Sequence, residues 1–237
     1  MTSLALMALA VTVAGLVQGA IGVGFALIVA PLAAVMRPDM VPGSILILML
    51  PLNAFVAWRE RDHFDLSSAG WITLGRFAGT FAGLRILLLV STPMLDVVVG
   101  VTTIVAAAVT KMAPRFAPNR TAYIGAGLIT GITETATGIG GPPLALVYQH
   151  HPAPALRATI ALCFLLGEVF SIALLVVEGR LDMAQAADAL LLVPALVLGL
   201  FASGWAHRRL DPARLRDALL LFAVLSGLLL IVQAATG

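Results

Sequence analysis

Eight apolar stretches follow one another from end to end of this chain, and only short charged or proline-bearing joints separate them. A hydrocarbon core of roughly 30 Å is crossed by about 17 to 25 apolar residues in a helix. Six of the stretches, at about 43–58, 69–90, 95–110, 158–177, 186–205 and 215–234, have the length of one such helix. With 60% of 237 residues hydrophobic and 11% charged, the chain reads as an all-α integral membrane protein with no room for a soluble domain. The start, "MTSLALMALAV", carries no Lys or Arg before Arg37, so it is expected to belong to the first membrane segment and to stay on the mature chain. The one cysteine, Cys163, excludes an intramolecular disulfide and a Cys-based metal site.

The other two stretches, about 3–36 and 121–149, are too long for one helix, and both are interrupted by glycines. Gly22-Val23-Gly24 breaks the first, and "ETATGIGGPPLAL" breaks the second at Gly138-Ile139-Gly140-Gly141. Gly and Pro carry helix penalties of roughly 1 and 3 kcal/mol, and Pro142 and Pro143 also lack the amide hydrogen that a continuing ladder needs. The surroundings repeat as well. "AGLVQGAIGVG" (14–24) matches "AGLITGITETATGIG" (126–140) once four extra residues around Glu134 are allowed, and the order of breaks and joints recurs downstream. The chain is therefore expected to be a single transmembrane domain, 1–237, of two repeats, about 3–112 and 119–235.

Charge decides how the broken stretches cross. If each crossed once, Lys and Arg would divide six against seven between the two sides, leaving Arg76 aside. If each doubles back, one side collects Arg59, Arg61, Lys111, Arg115, Arg120, Arg157, Arg208, Arg209, Arg214 and Arg216 against Arg37, Arg85 and Arg180 on the other. Ten against three is a clear positive-inside bias. Each repeat is then a broken helical hairpin plus three transmembrane helices, the two repeats are inverted, and both termini lie outside the cytoplasm.

A helix that starts inside a membrane presents unpaired amide hydrogens and the positive end of its dipole, which suits an anion. Glycine lets a small ligand touch the backbone, and proline fits the first helical turn. Gly22, Gly24, Gly138, Gly140 and Gly141 are therefore candidate substrate-binding positions, with Gln18, Asn53 and Thr137 as polar neighbours and Thr130, Thr133 and Thr135 as further hydroxyls. Gly140→Ala and Gly141→Ala are expected to weaken anion binding about tenfold, and Gly127→Ala to retain it. Gly15, Gly19, Gly127, Gly131 and the series Gly75, Gly79, Gly83 read instead as close helix packing.

The doubled break, "GxxxGxxGVG" in the first half and "GxxxG…TGIGGPP" in the second, together with the eight segments, resembles the sulfite exporter TauE/SafE family of membrane transporters. The resemblance spans nearly the whole chain. It implies a secondary transporter of a small sulfur-containing anion (sulfite, thiosulfate or an organosulfonate) in the bacterial cytoplasmic membrane. The first break reads "GVGFAL" and so lacks the extra glycine and paired prolines of "GIGGPPL".

Three ionisable residues lie deep in segments: Arg76, Glu134 and Glu168. Each is costly in lipid and is expected to face protein or water. Glu134 is expected to be protonated in the loaded state or paired with Arg76, which suits either proton coupling or a structural ion pair, and Glu168 is the weaker candidate for the same role. His150-His151 at a proline joint reads as an exposed turn rather than a metal site. No cofactor, metal or nucleic-acid partner is expected, and a homo-oligomer is left open. H-E-x-x-H and G-x-S-x-G are absent and Ser203-Gly204 with His207 has no third partner, so no enzyme is expected. The rival readings are an anion channel and a non-transporting assembly subunit.

Overall fold

In the computed structural model, residues 2–112, 117–149, 151–209 and 211–236 are described. Arg115 and His150 lie outside the described residues, as do the side chains of His207, Arg208 and Arg209. The described residues form ten α-helices: α1 Thr2–Ile21, α2 Phe25–Met36, α3 Gly43–Arg59, α4 Leu66–Leu89, α5 Thr92–Met112, α6 Arg120–Thr137, α7 Gly141–Val147, α8 Ala153–Val177, α9 Met183–Arg209 and α10 Pro212–Thr236. Six of these are long and apolar enough to cross a membrane, while α2 and α3 are shorter apolar helices.

Both overlong stretches are split at their glycines, α1 from α2 and α6 from α7. The arms are unequal. At 1.5 Å per residue α1 and α6 reach roughly 30 and 27 Å, whereas α2 and α7 return only about 18 and 10 Å. Polar caps fix two helix starts at one end of the bundle: Asp65 accepts from the Ser68 amide ahead of α4, and Asn119 from the Ala122 amide ahead of α6.

Glycine allows the closest crossings. Along α4 and α6, a Cβ added at Gly75, Gly79, Gly83, Gly127 or Gly131 would run into the facing helix's backbone. Gly15 and Gly19 of α1 lie against α9, Gly15 beside Leu196 and Gly19 against the Ser203 side chain, and Gly199 of α9 abuts the backbone of Thr12 and Leu16. Gly100 of α5 and Gly227 of α10 face each other, each Cβ position 2.8 Å from the other's carbonyl oxygen. Small residues exchange side-chain volume for backbone approach, which is how helices gain van der Waals contact in a membrane.

The order of these contacts gives helix directions. Gly75, Gly79 and Gly83 meet Ile124, Leu128 and Ile132 in turn, so α4 and α6 run parallel; Gly15 meets Leu196 and Gly19 meets Leu200 and Ser203, so α1 and α9 do too. At one end Arg37, after α2, pairs with Asp188 of α9. At the other end Arg157 of α8 pairs with Glu60, which follows α3. Each hairpin thus returns to the end from which it set out, the first to the Arg37 end and the second to the Arg157 end.

Candidate functional site

The two breaks begin alike and then diverge, since Gly24 ahead of α2 has φ of +124° and Gly140 ahead of α7 has −130°. Gly22 has φ of +90° and Gly138 +80°, a conformation that glycine adopts at little cost. The Gly22 amide donates to the Gln18 carbonyl at 2.7 Å, and the Gly138 amide to the Glu134 carbonyl at the same distance. Gln18 and Glu134 are therefore equivalent positions, each four residues ahead of its break. Both α1 and α6 run as unbroken helix into their glycines.

At the first break the buried Gln18 side chain turns onto the next helix, its Oε1 accepting from the Phe25 amide at 2.9 Å. A first-turn amide of α2 is thereby satisfied within the chain. Arg157 packs on the same break, with Cγ 2.8 Å from where a Gly22 Cβ would stand. Its Nε donates to Glu60 at 2.9 Å. Glu60 also lies 3.3 Å from Arg59, and Arg59 donates to the Gly19 carbonyl at 2.8 Å near the end of α1. Burial pushes the Glu60 carboxyl up, but Arg157 and Arg59 outweigh it and hold the group below the usual carboxylate range.

At the second break Thr130 Oγ1 donates to the Gly140 carbonyl at 3.0 Å. Thr137 Oγ1 accepts from the Ile139 amide at 3.3 Å while donating to the Thr133 carbonyl at 2.7 Å. Thr135 turns away and shares a 2.9 Å hydrogen bond with Ser171 of α8. Gly140 is tight, since a Cβ there would lie 2.5 Å from Glu134 Oε2. Gly141 is not: its nearest neighbour would be Val23 at 3.6 Å, which is ordinary contact. A methyl at Gly127, by contrast, would strike the Ile72 carbonyl and lie 3.1 Å from the Arg76 amide. Gly127 is thus walled in by the backbone of α4, in keeping with its reading as a packing position, while Gly141 has room for a methyl.

The breaks meet each other. Val23 of the first lies against Gly141 of the second, and Gln18, Gly24, Met49, Ile139, Gly141 and Phe164 surround a cavity of about 10 Å³ between them. That is room for about one water molecule. A larger cavity of about 360 Å³ adjoins the junction, with Val23 and Pro142 of the two breaks and Arg157 and Arg216 among its walls.

Beside the second break sits a charged cluster. Arg76, Glu134, Glu168 and Asn53 are each at most 1% exposed. Arg76 Nη2 lies 2.7 Å from Glu134 Oε2. The contact is one of charge with charge, since the guanidinium nitrogens and both Glu134 oxygens have no hydrogen-bond partner among the described residues. The guanidinium rests 5.1 Å from the centre of the Phe164 ring and fills the space that a side chain at Gly167 would need. Asn53 Nδ2 donates to Glu168 Oε1 at 2.6 Å. Asn53 is thus joined to a carboxyl rather than presented to the junction. Among the described residues no group of three metal-ligating side chains is present.

The family model described as sulfite exporter TauE/SafE matches residues 7–230. The chain belongs to this family. TauE/SafE proteins form a membrane transporter family rather than an enzyme family, and the six span-length helices make this chain a multi-pass protein of the cell membrane. No curated protein and no solved structure matches it.

In this TauE/SafE protein the residues singled out from sequence fall into two groups that touch. Gln18, Gly22 and Gly24 belong to the first break; Thr137, Gly138, Gly140 and Gly141, with Glu134, Arg76, Glu168 and Asn53 beside them, belong to the second. Sequence reasoning missed Arg157 and Phe164. Arg157 counted only as one more basic residue at a joint, and nothing in a lone Phe announces a ring beneath an arginine. His151 packs against the Tyr148 ring at 4.7 Å.

Proposed function

We propose that this chain is a secondary transporter of a small sulfur-containing anion, namely sulfite, thiosulfate or an organosulfonate, across the bacterial cytoplasmic membrane. It is built as two inverted repeats, about 3–112 and 119–235, and the anion is held at the half-helix starts where the breaks meet. The observation that carries this reading is the junction itself: two glycine breaks from opposite halves converge on one small cavity, with an arginine-lined approach from one end.

Exchange of the halves supports the repeat. Under it α1 on α9 becomes α6 on α4, α3 on α9 becomes α8 on α4, and the pairs α3–α8 and α5–α10 map onto themselves; all of these pairs are in contact. The opposite return directions of the hairpins support the inversion. The ten-to-three charge bias assigns the Arg157 end to the cytoplasm, so the approach cavity opens inward. A junction no larger than a water favours a carrier that must change shape to load over an open channel.

Proteoliposomes with inward labelled sulfite, thiosulfate, taurine or sulfoacetate are expected to show saturable uptake of at least one of them, with faster exchange when the same anion is inside. Flux that rises linearly with concentration would point to a channel, and no flux of any of the four would overturn the reading.

A further inference from the structure

The buried cluster holds two carboxyls and one guanidinium, and its unpartnered atoms say how the charge is balanced. Three charges enclosed at no more than 1% exposure are tolerated only if the group is close to neutral overall. Arg76 can neutralise one carboxylate, and it stands 2.7 Å from Glu134. Among the described residues Glu168 has no cation beside it other than that same Arg76. The charged and titratable groups around it are Arg76 of α4 and Glu134 of α6, and its polar partner is Asn53 of α3.

The Asn53–Glu168 contact is half made. Asn53 Nδ2 donates to Glu168 Oε1, while Asn53 Oδ1 and Glu168 Oε2, the other atom of each group, are buried with no hydrogen-bond partner among the described residues. Both are acceptors when the carboxyl is ionised. A proton on Oε2 turns that atom into a donor to Oδ1 and closes a two-bond carboxyl–amide pair. The same proton makes the cluster neutral.

We infer that Glu168 holds a resting proton in a closed pair with Asn53, and that Glu134 is an internal anion occupying Arg76, which the transported anion displaces when Glu134 takes up a proton. The empty state is Arg76 positive, Glu134 negative, Glu168 neutral. The loaded state is Arg76 positive, the substrate negative, both carboxyls neutral. One proton therefore enters with each monovalent anion. Phe164 joins the two places, since its ring carries the guanidinium and also lines the junction cavity. This inference rests on the transporter reading for its substrate but not for its resting proton.

The test uses the full-length protein in nanodiscs with methanesulfonate, whose charge stays at −1 across the pH range used. In the parent, affinity is expected to fall tenfold per pH unit on the alkaline side, the slope of one proton. Glu168→Gln keeps that slope. Glu134→Gln with Glu168→Gln loses it, and that double variant is stabilised against heating by methanesulfonate because Arg76 then has no other counter-charge. Independently of any ligand, the infrared band of a protonated buried carboxyl is present in the parent at neutral pH and absent from Glu168→Gln. Persistence of that band in Glu168→Gln overturns the resting proton, and a pH slope retained by the double variant overturns the exchange on Arg76. Absence of binding or flux of every sulfur anion in the parent would sink the transporter reading and the exchange built on it, while the infrared result would still decide where the proton rests.

Discussion

The two breaks open on the same left-handed glycine and carry opposite chemistry. At the first, the residue four places ahead of the glycine is Gln18, a neutral amide that bonds to the Phe25 amide and stays within its own hairpin. At the second it is Glu134, a carboxyl held 2.7 Å from an arginine on another helix. The first half-helix is 12 residues long and the second 7. One scaffold thus supports a break closed by an uncharged cap and a break governed by an ion pair. The lesson is that a glycine break sets where a helix can restart, while the residue one turn upstream sets whether the restart can change its charge.

Removing each break's partner should separate the two most strongly. Arg76→Leu leaves Glu134 buried without a counter-charge and is expected to cost about 3–5 kcal/mol, whereas Arg76→Leu with Glu134→Leu should recover most of that loss. Unfolding curves of the purified protein in mixed micelles measure both. Equal losses for the single and double variants would mean that the ion pair is not what stabilises this region. The corresponding change at the first break, Gln18→Leu, strands one amide and should cost about 1–3 kcal/mol. A loss as large as that of Arg76→Leu would erase the contrast drawn here.

The next contrast lies within the second break. Gly140→Ala sets a methyl against the Glu134 carboxyl and should weaken anion binding about tenfold, near 1.4 kcal/mol, while Gly141→Ala meets only Val23 and should change it less than threefold. Binding isotherms for the two variants, made to equal amounts, decide this. The reverse ranking would move the anion from the Glu134 side to the Val23 side of the junction.

The smallest effect belongs to the carboxylate near the first break. Glu60 is held below its ordinary range by Arg157 and Arg59, against the opposing push of burial. A depressed carboxyl stabilises the folded state above its unfolded pKa of roughly 4.3, and that contribution is lost as pH falls through the lower folded value. The Arg157 pair should therefore add under about 1 kcal/mol at neutral pH, and Glu60→Gln should remove it and flatten the acid limb of the melting curve. Parallel pH–melting profiles for the variant and the parent would show that the pair contributes nothing.

Much of this contrast could be read before any coordinates. Gly22, Gly24 and Gly138 mark the breaks because few residues tolerate their left-handed backbone, and the ten-to-three count of basic residues pointed to hairpins that return. The meeting of Arg76 with Glu134 followed from there being one deep cation. What escaped was whatever depends on distant segments lying side by side. Asn53 and Glu168 are 115 positions apart, and no local pattern reveals that an amide shields a carboxyl. Gly127 reads as a packing position and Gly141 as part of the break, but neither reading says how much space surrounds each. Only the crossing of α4 over α6 shows that the first is walled in by backbone and the second is not. That Gln18 and Glu134 each offer the carbonyl that closes the last turn before a break could not be read from the letters, which matched the two stretches in another register.

The pairing of α1 with α9 also sets a schedule for biogenesis. Thr12 of α1 donates to the carbonyl of Ala195, 183 positions later. At a synthesis rate of roughly 5–20 residues per second, the first helix would wait about 10–40 s in the bilayer before that partner has been made. During that interval its glycine face is open to other helices or to lipid. The chaperoning of a half-made chain, more than the strength of any finished contact, would then decide how much of this protein reaches its final form.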